Sequence, residues 1–322
     1  MTISQSKEML KNHPLEEPVK TYIDNLDMKQ VSIRSYAELM KRYLNYLKGH
    51  NIRYSKRADL IKYRESMWEE GLKANTIQKQ MVVIRAFYLW LKINYKNFGF
   101  DEIYSHNIAE GIKGAKIDRN YKKEPLSLEQ ARNLIEVAKR DAKNIYGIRN
   151  YAIILLMLTT GMRTIEVVRA RKQDLSRMDH HSILYIQGKA KDGSDTFVKL
   201  PIEVTDAMNE YLHLRNDKNK YIFVSHEKNS LNQLTTSSLR ISLRRIMRKA
   251  GINSSKQTVH SLRHTTAYFN LKSGGTLEAT QQLLRHKNIE TTLIYAHNIN
   301  RIDDDSEFRI RDYILKKEND KT

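Results

Sequence analysis

The sequence predicts a mainly α protein of two domains, with one small antiparallel β-sheet in the second. Three observations carry that reading. Apolar residues recur at helical spacing over most of residues 15–95. Gly111, Gly114 and a charged run ending at Pro125 then break the pattern and mark a boundary. Beyond it, β-branched and aromatic residues concentrate in two short runs, residues 182–187 and 196–200.

Residues 1–13 read as a loose start. Val19, Tyr22, Ile23 and Leu26 set the first helix. Ser32 is the predicted cap of the second, whose stripe is Tyr36, Leu39, Met40, Tyr43, Leu44 and Leu47. Residues 51–57 form a basic connector. Leu60, Ile61, Tyr63, Met67 and Trp68 mark a third helix, stopped by Gly71. The longest, residues 76–95, lines up Ile77, Met81, Ile84, Phe87, Tyr88 and Leu91 on one side. These stripes are core, which leaves Arg34, Lys41, Lys79 and Arg85 for an exposed face.

Ser127-Leu-Glu-Gln130 is a capping box that opens the second domain. Residues 150–159 are almost continuously apolar and read as a buried helix. It runs into Thr160-Gly-Met-Arg-Thr-Ile-Glu166, where Gly161 breaks the helix and Arg163 emerges at the start of the next. The two β runs flank Gly188-Lys-Ala-Lys-Asp-Gly193, in which Asp192-Gly193 is a hairpin signal, and Pro201 ends the second strand. The chain from there to His260 reads as helices. Residues 239–250 hold Arg240, Arg244, Arg245, Arg248 and Lys249, which suits a helix in a nucleic-acid groove or a solvated face.

Composition narrows the function. The formal charge of +19 points to a polyanionic partner, nucleic acid first. The charge is not a tail. Residues 1–116 carry 20 Lys and Arg against 13 Asp and Glu, and the remainder 36 against 24, so both halves are basic. The absence of cysteine excludes disulfides, thiolate catalysis and cysteine-ligated zinc. The N-terminus has no apolar core of signal-peptide type, and no stretch approaches the ~20 apolar residues of a membrane span. A soluble, cytoplasmic protein is expected. No Walker-type glycine loop, H-E-x-x-H motif or acidic metal motif is present, and His180-His181 is a weak metal signal, so neither cofactor nor metal is expected.

The chemistry gathers in residues 260–295. His260 and Arg263 are three apart and share a helix face; His286 follows Leu283 and Leu284; Tyr295 comes nine residues later. Guanidinium forks match phosphate oxygens and a phenol is a possible nucleophile, so the set suits a phosphodiester.

At these residues the chain resembles the tyrosine recombinases, the phage integrase and Xer class. The resemblance rests on H-x-x-R at His260 and Arg263, the second histidine His286, and Tyr295 at the family's nine-residue spacing. T-G-M-R-T-I-E-V resembles the family's first arginine box, with Arg163 the arginine and Glu166 an acidic residue that orients a neighbour. The hairpin resembles the family's β-hairpin, whose catalytic lysine follows a glycine, which selects Lys189 over Lys191. One departure stands out. The family usually has glycine before the second histidine, and this chain has Arg285, which adds a DNA contact or alters the turn.

The resemblance implies a fold and a mechanism. The fold is a helical SAM-like DNA-binding domain over 1–116, a linker over 117–124, and a catalytic domain over 125–322 with a C-terminal tail helix. Arg163, Arg263 and His286 would hold the phosphate oxygens. Tyr295 would attack, with His260 taking its proton and Lys189 protonating the leaving 5′ oxygen. The product would be a 3′-phosphotyrosyl link, needing neither ATP nor metal, with strand exchange through a Holliday junction. The implied partners are double-stranded DNA with an inverted-repeat core site and further copies of the chain, up to a tetramer in synapsis. Phe308, Ile310, Tyr313, Ile314 and Leu315 suit a tail helix that docks on a neighbouring subunit or on its own domain. A type IB topoisomerase and a catalytically silent DNA-binding regulator are the alternative readings.

Overall fold

The computed structural model describes residues 13–100, 102–116, 124–186, 196–226, 232–296 and 306–315. The chain divides into two compact units, Met1–Asn120 and Tyr121–Thr322.

The first unit is a helical bundle of α1 (Glu16–Asp24), α2 (Gln30–Gly49), α3 (Arg57–Glu69) and α4 (Ala74–Asn94). Its core is the set of stripes read from the sequence. Met40, Tyr43 and Leu47 of α2, Leu60, Tyr63 and Met67 of α3, and Ile77, Met81, Ile84, Phe87, Tyr88 and Leu91 of α4 are all buried together. Three details differ from expectation. Ser32 lies inside α2 rather than capping it, because the helix starts at Gln30. The last helix starts at Ala74, two residues early, and ends in a 3-10 turn, Tyr95–Phe98. Trp68 is exposed, since the α3 stripe is carried by Leu60, Tyr63 and Met67 without it. Arg34, Lys41 and Lys79 are exposed as expected, whereas Arg85 is half-buried and donates to the Ile112 carbonyl at 3.2 Å.

The second unit is built on α6 (Ile145–Thr160), buried on nearly every side, with Ala152, Ile153, Ile154 and Leu156 fully enclosed. Asn144 caps it, accepting from the Gly147 N–H at 3.0 Å, so the helix begins five residues before the apolar run. Around it pack α5 (Leu128–Arg140), α8 (Ile202–Arg215) and α10 (Val259–Lys272). The capping box at the start of α5 is complete. Ser127 Oγ accepts from the Gln130 N–H at 3.0 Å, and Gln130 Oε1 accepts from the Ser127 N–H at 3.0 Å.

The sheet is antiparallel, in the order β1 (Leu175–Met178), β2 (His181–Ile186), β3 (Thr196–Leu200). Leu184 pairs with Leu175 on one side and with Val198 on the other. β1 was not visible in the sequence: it is a mostly exposed edge strand without an apolar alternation to betray it. The hairpin segment with Lys189, Lys191 and Asp192-Gly193 lies outside the described residues.

The basic helix is α9 (Thr236–Lys249). Its cations are not all on offer. Arg244 donates to the carbonyls of Asn253, Ser254 and Gln257, and Lys249 pairs with Asp141 at 2.6 Å. Arg240, Arg245 and Arg248 are exposed. The unit is completed by α7 (Thr164–Arg169), α11 (Leu277–Leu284), α12 (Glu290–Ala296) and α13 (Ser306–Leu315). No helix among the described residues is long and apolar enough to cross a membrane.

Candidate active site

Two helix ends and two further helices make the site. α6 terminates at Gly161, whose φ of 62° places it in the left-handed region. The left-handed backbone favours glycine there, and a Cβ would also lie 2.7 Å from Leu284 Cδ2, a side-chain tip that would have to shift. That turn delivers Arg163 to the start of α7. α11 ends nearby at Leu284, and the chain turns through Arg285 to His286. The His286 N–H donates to the Gln281 carbonyl at 3.1 Å and the Arg285 N–H to the Gln282 carbonyl at 3.0 Å, the double bond pattern of a Schellman stop.

Arg263, on α10, joins the two ends. Its side chain is 1% exposed, with Nη1 donating to the Gly161 carbonyl and Nη2 to the Leu284 carbonyl. Both carbonyls lie at helix C-termini, where backbone acceptors lack helical partners and a cation is favoured. Burial, with the like charge of Arg163, pushes the Arg263 pKa down to about 9, which still leaves the guanidinium charged at neutral pH. Its remaining N–H donors lie beyond these two bonds.

Glu166 ties the first arginine down. Its Oε1 accepts from Arg163 Nη1 at 2.7 Å and its Oε2 from the Arg163 N–H at 2.8 Å. The same Oε2 accepts from Arg285 Nη2 at 3.0 Å. Burial pushes the Glu166 carboxyl up, but Arg285 and the Arg163 hydrogen bonds outweigh it and hold the pKa below its usual value.

Tyr295 comes from α12 and is 4% exposed. Its hydroxyl and His264 Nδ1 share a hydrogen bond of 2.7 Å. Burial pushes its pKa up, with Arg263 and Arg163 pulling against that shift. The phenol is therefore neutral at pH 7. Burial brings the His264 pKa down to about 4, so the imidazole is neutral and able to accept. The His286 ring stacks near the phenol, centroids 6.2 Å apart at 14°, and its Nδ1 bonds Thr292 Oγ1 at 2.9 Å. Burial, then Arg263, Arg163 and Arg285, lowers its pKa to about 4. In the tautomer whose Nδ1 accepts from the Thr292 hydroxyl, Nε2 carries the ring's one proton and is the donor.

Of the six residues singled out in the sequence, the structure gathers Arg163, Arg263, His286 and Tyr295 within one electrostatic neighbourhood. His260 is exposed, and its ring meets His264 edge-on at 4.6 Å between centroids. Lys189 lies outside the described residues. Two contributors were missed. His264 is one helical turn beyond His260 on the same face, a spacing that could have flagged it. Thr292 carries no sequence signal, since a threonine in a helix is ordinary. Among the described residues no group of three or more His, Asp or Glu is arranged to hold a metal.

A family model described as the phage integrase family matches residues 124–301, more than half of the chain. The chain belongs to the phage integrase family. A second model, the phage integrase N-terminal SAM-like domain, matches residues 19–94 of this integrase-family chain. Its enzyme class is that of the tyrosine recombinases, as among its curated relatives. The tyrosine recombinase XerA of Thermococcus kodakarensis is 27% identical over 288 residues, 88% of this chain and 90% of the relative. The tyrosine recombinase XerD of Listeria monocytogenes is 26% identical over 277 residues, 83% and 87% of the two chains. Among solved structures, the XerH recombinase in a post-cleavage complex with palindromic difH aligns with a TM-score of 0.70 at 20% identity, covering 88% of this chain and 79% of that one. A lambda integrase dimer bound to a COC′ core site aligns with a TM-score of 0.66 at 14% identity, covering 89% and 78%. These two likenesses are of fold.

Proposed function

We propose that this integrase-family protein is a site-specific DNA recombinase that cleaves one strand through a 3′-phosphotyrosyl intermediate at Tyr295. The observation that carries the reading is the convergence on one buried phenol of two arginines and a neutral histidine ring, with a second neutral imidazole on its hydroxyl. Transfer to phosphate passes through a pentacoordinate state with added negative charge. Arg163 and Arg263 would hold its non-bridging oxygens and His286 Nε2 would donate a further bond. Tyr295 forms the new O–P bond as its proton leaves. His264 is the acceptor in contact with the hydroxyl, and His260 lies beside it as the next group outward. The 5′ oxygen departs with a proton from Lys189. Bond energy is kept in the phosphotyrosyl ester, and attack by a partner strand's 5′-hydroxyl restores the phenol, which suits exchange through a Holliday junction.

The helical unit, linked through 117–124 to the catalytic part over 125–322, would grip the same double-stranded core site. Arg34, Lys41 and Lys79 are among its exposed cations, as are Arg240, Arg245 and Arg248 on the catalytic part. The functional assembly would be a tetramer on two inverted-repeat sites. Phe308, Ile310, Tyr313, Ile314 and Leu315 of α13 are 58 to 88% exposed, which favours docking on a neighbour over burial in the helix's own domain. Deleting the chain after Asn300 is expected to leave half-site binding nearly unchanged while recombination falls steeply. Normal recombination by the truncated protein would place the coupling elsewhere.

The reading is tested by incubating the protein with DNA flanking its gene, in excess EDTA and without nucleotide. A protein–DNA adduct resistant to denaturant is the expected product. Lys189→Ala should slow adduct formation by about 10²–10⁴, the scale of losing a general acid. A 5′-bridging sulfur substrate, whose leaving group needs no proton, should restore it. Rescue of Lys191→Ala instead would transfer the role to that lysine.

A further inference from the structure

Arg285 is an awkward residue for its position. It occupies the left-handed stop after α11, at φ 56° and ψ 45°, where glycine carries no steric penalty and a side chain does. Its guanidinium is turned inward and only 8% exposed. Burial lowers its pKa, the direction that opposes the charged form. Its Nε is buried with no hydrogen-bond partner among the described residues. Backbone strain, a buried cation and an orphaned donor all disfavour arginine here, and rules broken together in one place point to function.

What the side chain gains is a connection. Nη2 reaches Glu166 Oε2 at 3.0 Å, and Nη1 reaches the Leu283 carbonyl at 2.8 Å. Glu166 in turn holds both the side chain and the backbone N–H of Arg163. The turn of Leu284, Arg285 and His286 thus touches both arginines, Arg263 through the Leu284 carbonyl and Arg163 through Glu166. Charge matters as much as geometry. With Arg163 alone, Glu166 would form a closed pair of no net charge. With Arg285 added, one carboxylate serves two guanidiniums, and the cluster keeps a net positive charge toward an incoming phosphate.

We propose that Arg285 is a positioning residue for cleavage: acting through Glu166, it fixes Arg163 against the His286 turn and keeps that arginine's charge available to the scissile phosphate. It is not a DNA contact. The proposal rests on the recombinase reading, and the experiment separates the two. Wild type, Arg285→Gly, Arg285→Lys, Glu166→Gln and the Arg285→Gly/Glu166→Gln double variant are compared on a nicked substrate carrying the cleavage site mapped with wild type. Affinity, single-turnover adduct formation and thermal melting are measured for each.

If wild type forms no adduct on any DNA tested, the recombinase reading itself fails. Given a wild-type adduct, Arg285→Gly should melt within a few degrees of wild type, because relief of the strained turn offsets the lost bonds to Glu166 and the Leu283 carbonyl. It should bind DNA within about twofold of wild type yet form adduct about 10- to 100-fold more slowly, the scale of a misplaced reacting group. Arg285→Lys should recover part of the rate, since a cation returns without the fork. In the Glu166→Gln background the glycine substitution should cost little further rate, because both act on Arg163 by one route. An Arg285→Gly rate equal to wild type would overturn the proposal. So would a rate loss matched by an equal loss of affinity, or full additivity with Glu166→Gln.

Discussion

Tyr295→Phe is expected to abolish covalent attachment to DNA, because phenylalanine has no oxygen with which to form the bond to phosphorus. The substitution takes one hydroxyl from a side chain that is 4% exposed and otherwise keeps its packing between the His264 and His286 rings. The hydrogen bond to His264 is lost, which costs about 1 kcal/mol of stability, so the variant should fold and melt a few degrees lower at most. Binding should be unchanged, because the proposed contacts to phosphate are made by cations and a histidine that the substitution leaves in place. Band-shift and denaturing-gel assays run on the same samples read the two effects separately. A denaturant-resistant adduct formed by the phenylalanine variant would show that another residue attacks.

Arg263→Ala should have the second largest effect, and unlike the tyrosine substitution it should damage both stability and chemistry. Arg263 closes the C-terminal ends of α6 and α11 by donating to Gly161 and Leu284, and alanine leaves those two buried carbonyls unmet beside a void. A loss of about 2–5 kcal/mol is the scale for such a site. The turns that carry Arg163 and His286 would both loosen, so cleavage should fall by more than the 10²–10³ of a single lost oxyanion donor. Arg263→Lys is the informative control. A lysine keeps a charge but cannot reach two carbonyls with a planar fork, so it should recover stability in part and cleavage hardly at all. Thermal melting and single-turnover cleavage of the two variants give both numbers. Should the lysine variant cleave at the wild-type rate, bidentate geometry at this position is unimportant.

Most of the fold was legible because buried stripes repeat at helical spacing. Met40, Tyr43 and Leu47, or Ile77, Met81, Ile84 and Leu91, can be placed from sequence since each element hides one face. Where that logic is silent, the reading failed. β1 is an exposed edge strand without alternation, and Trp68 continues a stripe in sequence but lies outside it in space. The site divides in the same way. Arg163, Arg263, His286 and Tyr295 come from four separate stretches of chain that only an ordered motif could connect, and the structure gathers them. His264 was hidden by its neighbour Arg263, and its part emerges only from a distance of 2.7 Å to a phenol 31 residues away. Arg285 was visible as a departure, but a sequence does not tell whether an arginine points outward or back to Glu166. The basic helix α9 makes the same point: Arg244 and Lys249 read as surface cations and are occupied by the protein's own carbonyls and carboxylate.

The polarity and site of the covalent bond test the central claim most directly. Wild-type protein is trapped on cleaved DNA labelled at the 5′ end of the scissile strand, then digested and sequenced by mass spectrometry. The account predicts that the 5′ label travels with the protein, that the DNA remnant sits on the peptide containing Tyr295, and that the released fragment carries a 5′-hydroxyl open to phosphorylation by a kinase. A 5′-phosphotyrosyl link, a remnant on any other residue, or a released fragment bearing a 5′-phosphate would contradict it.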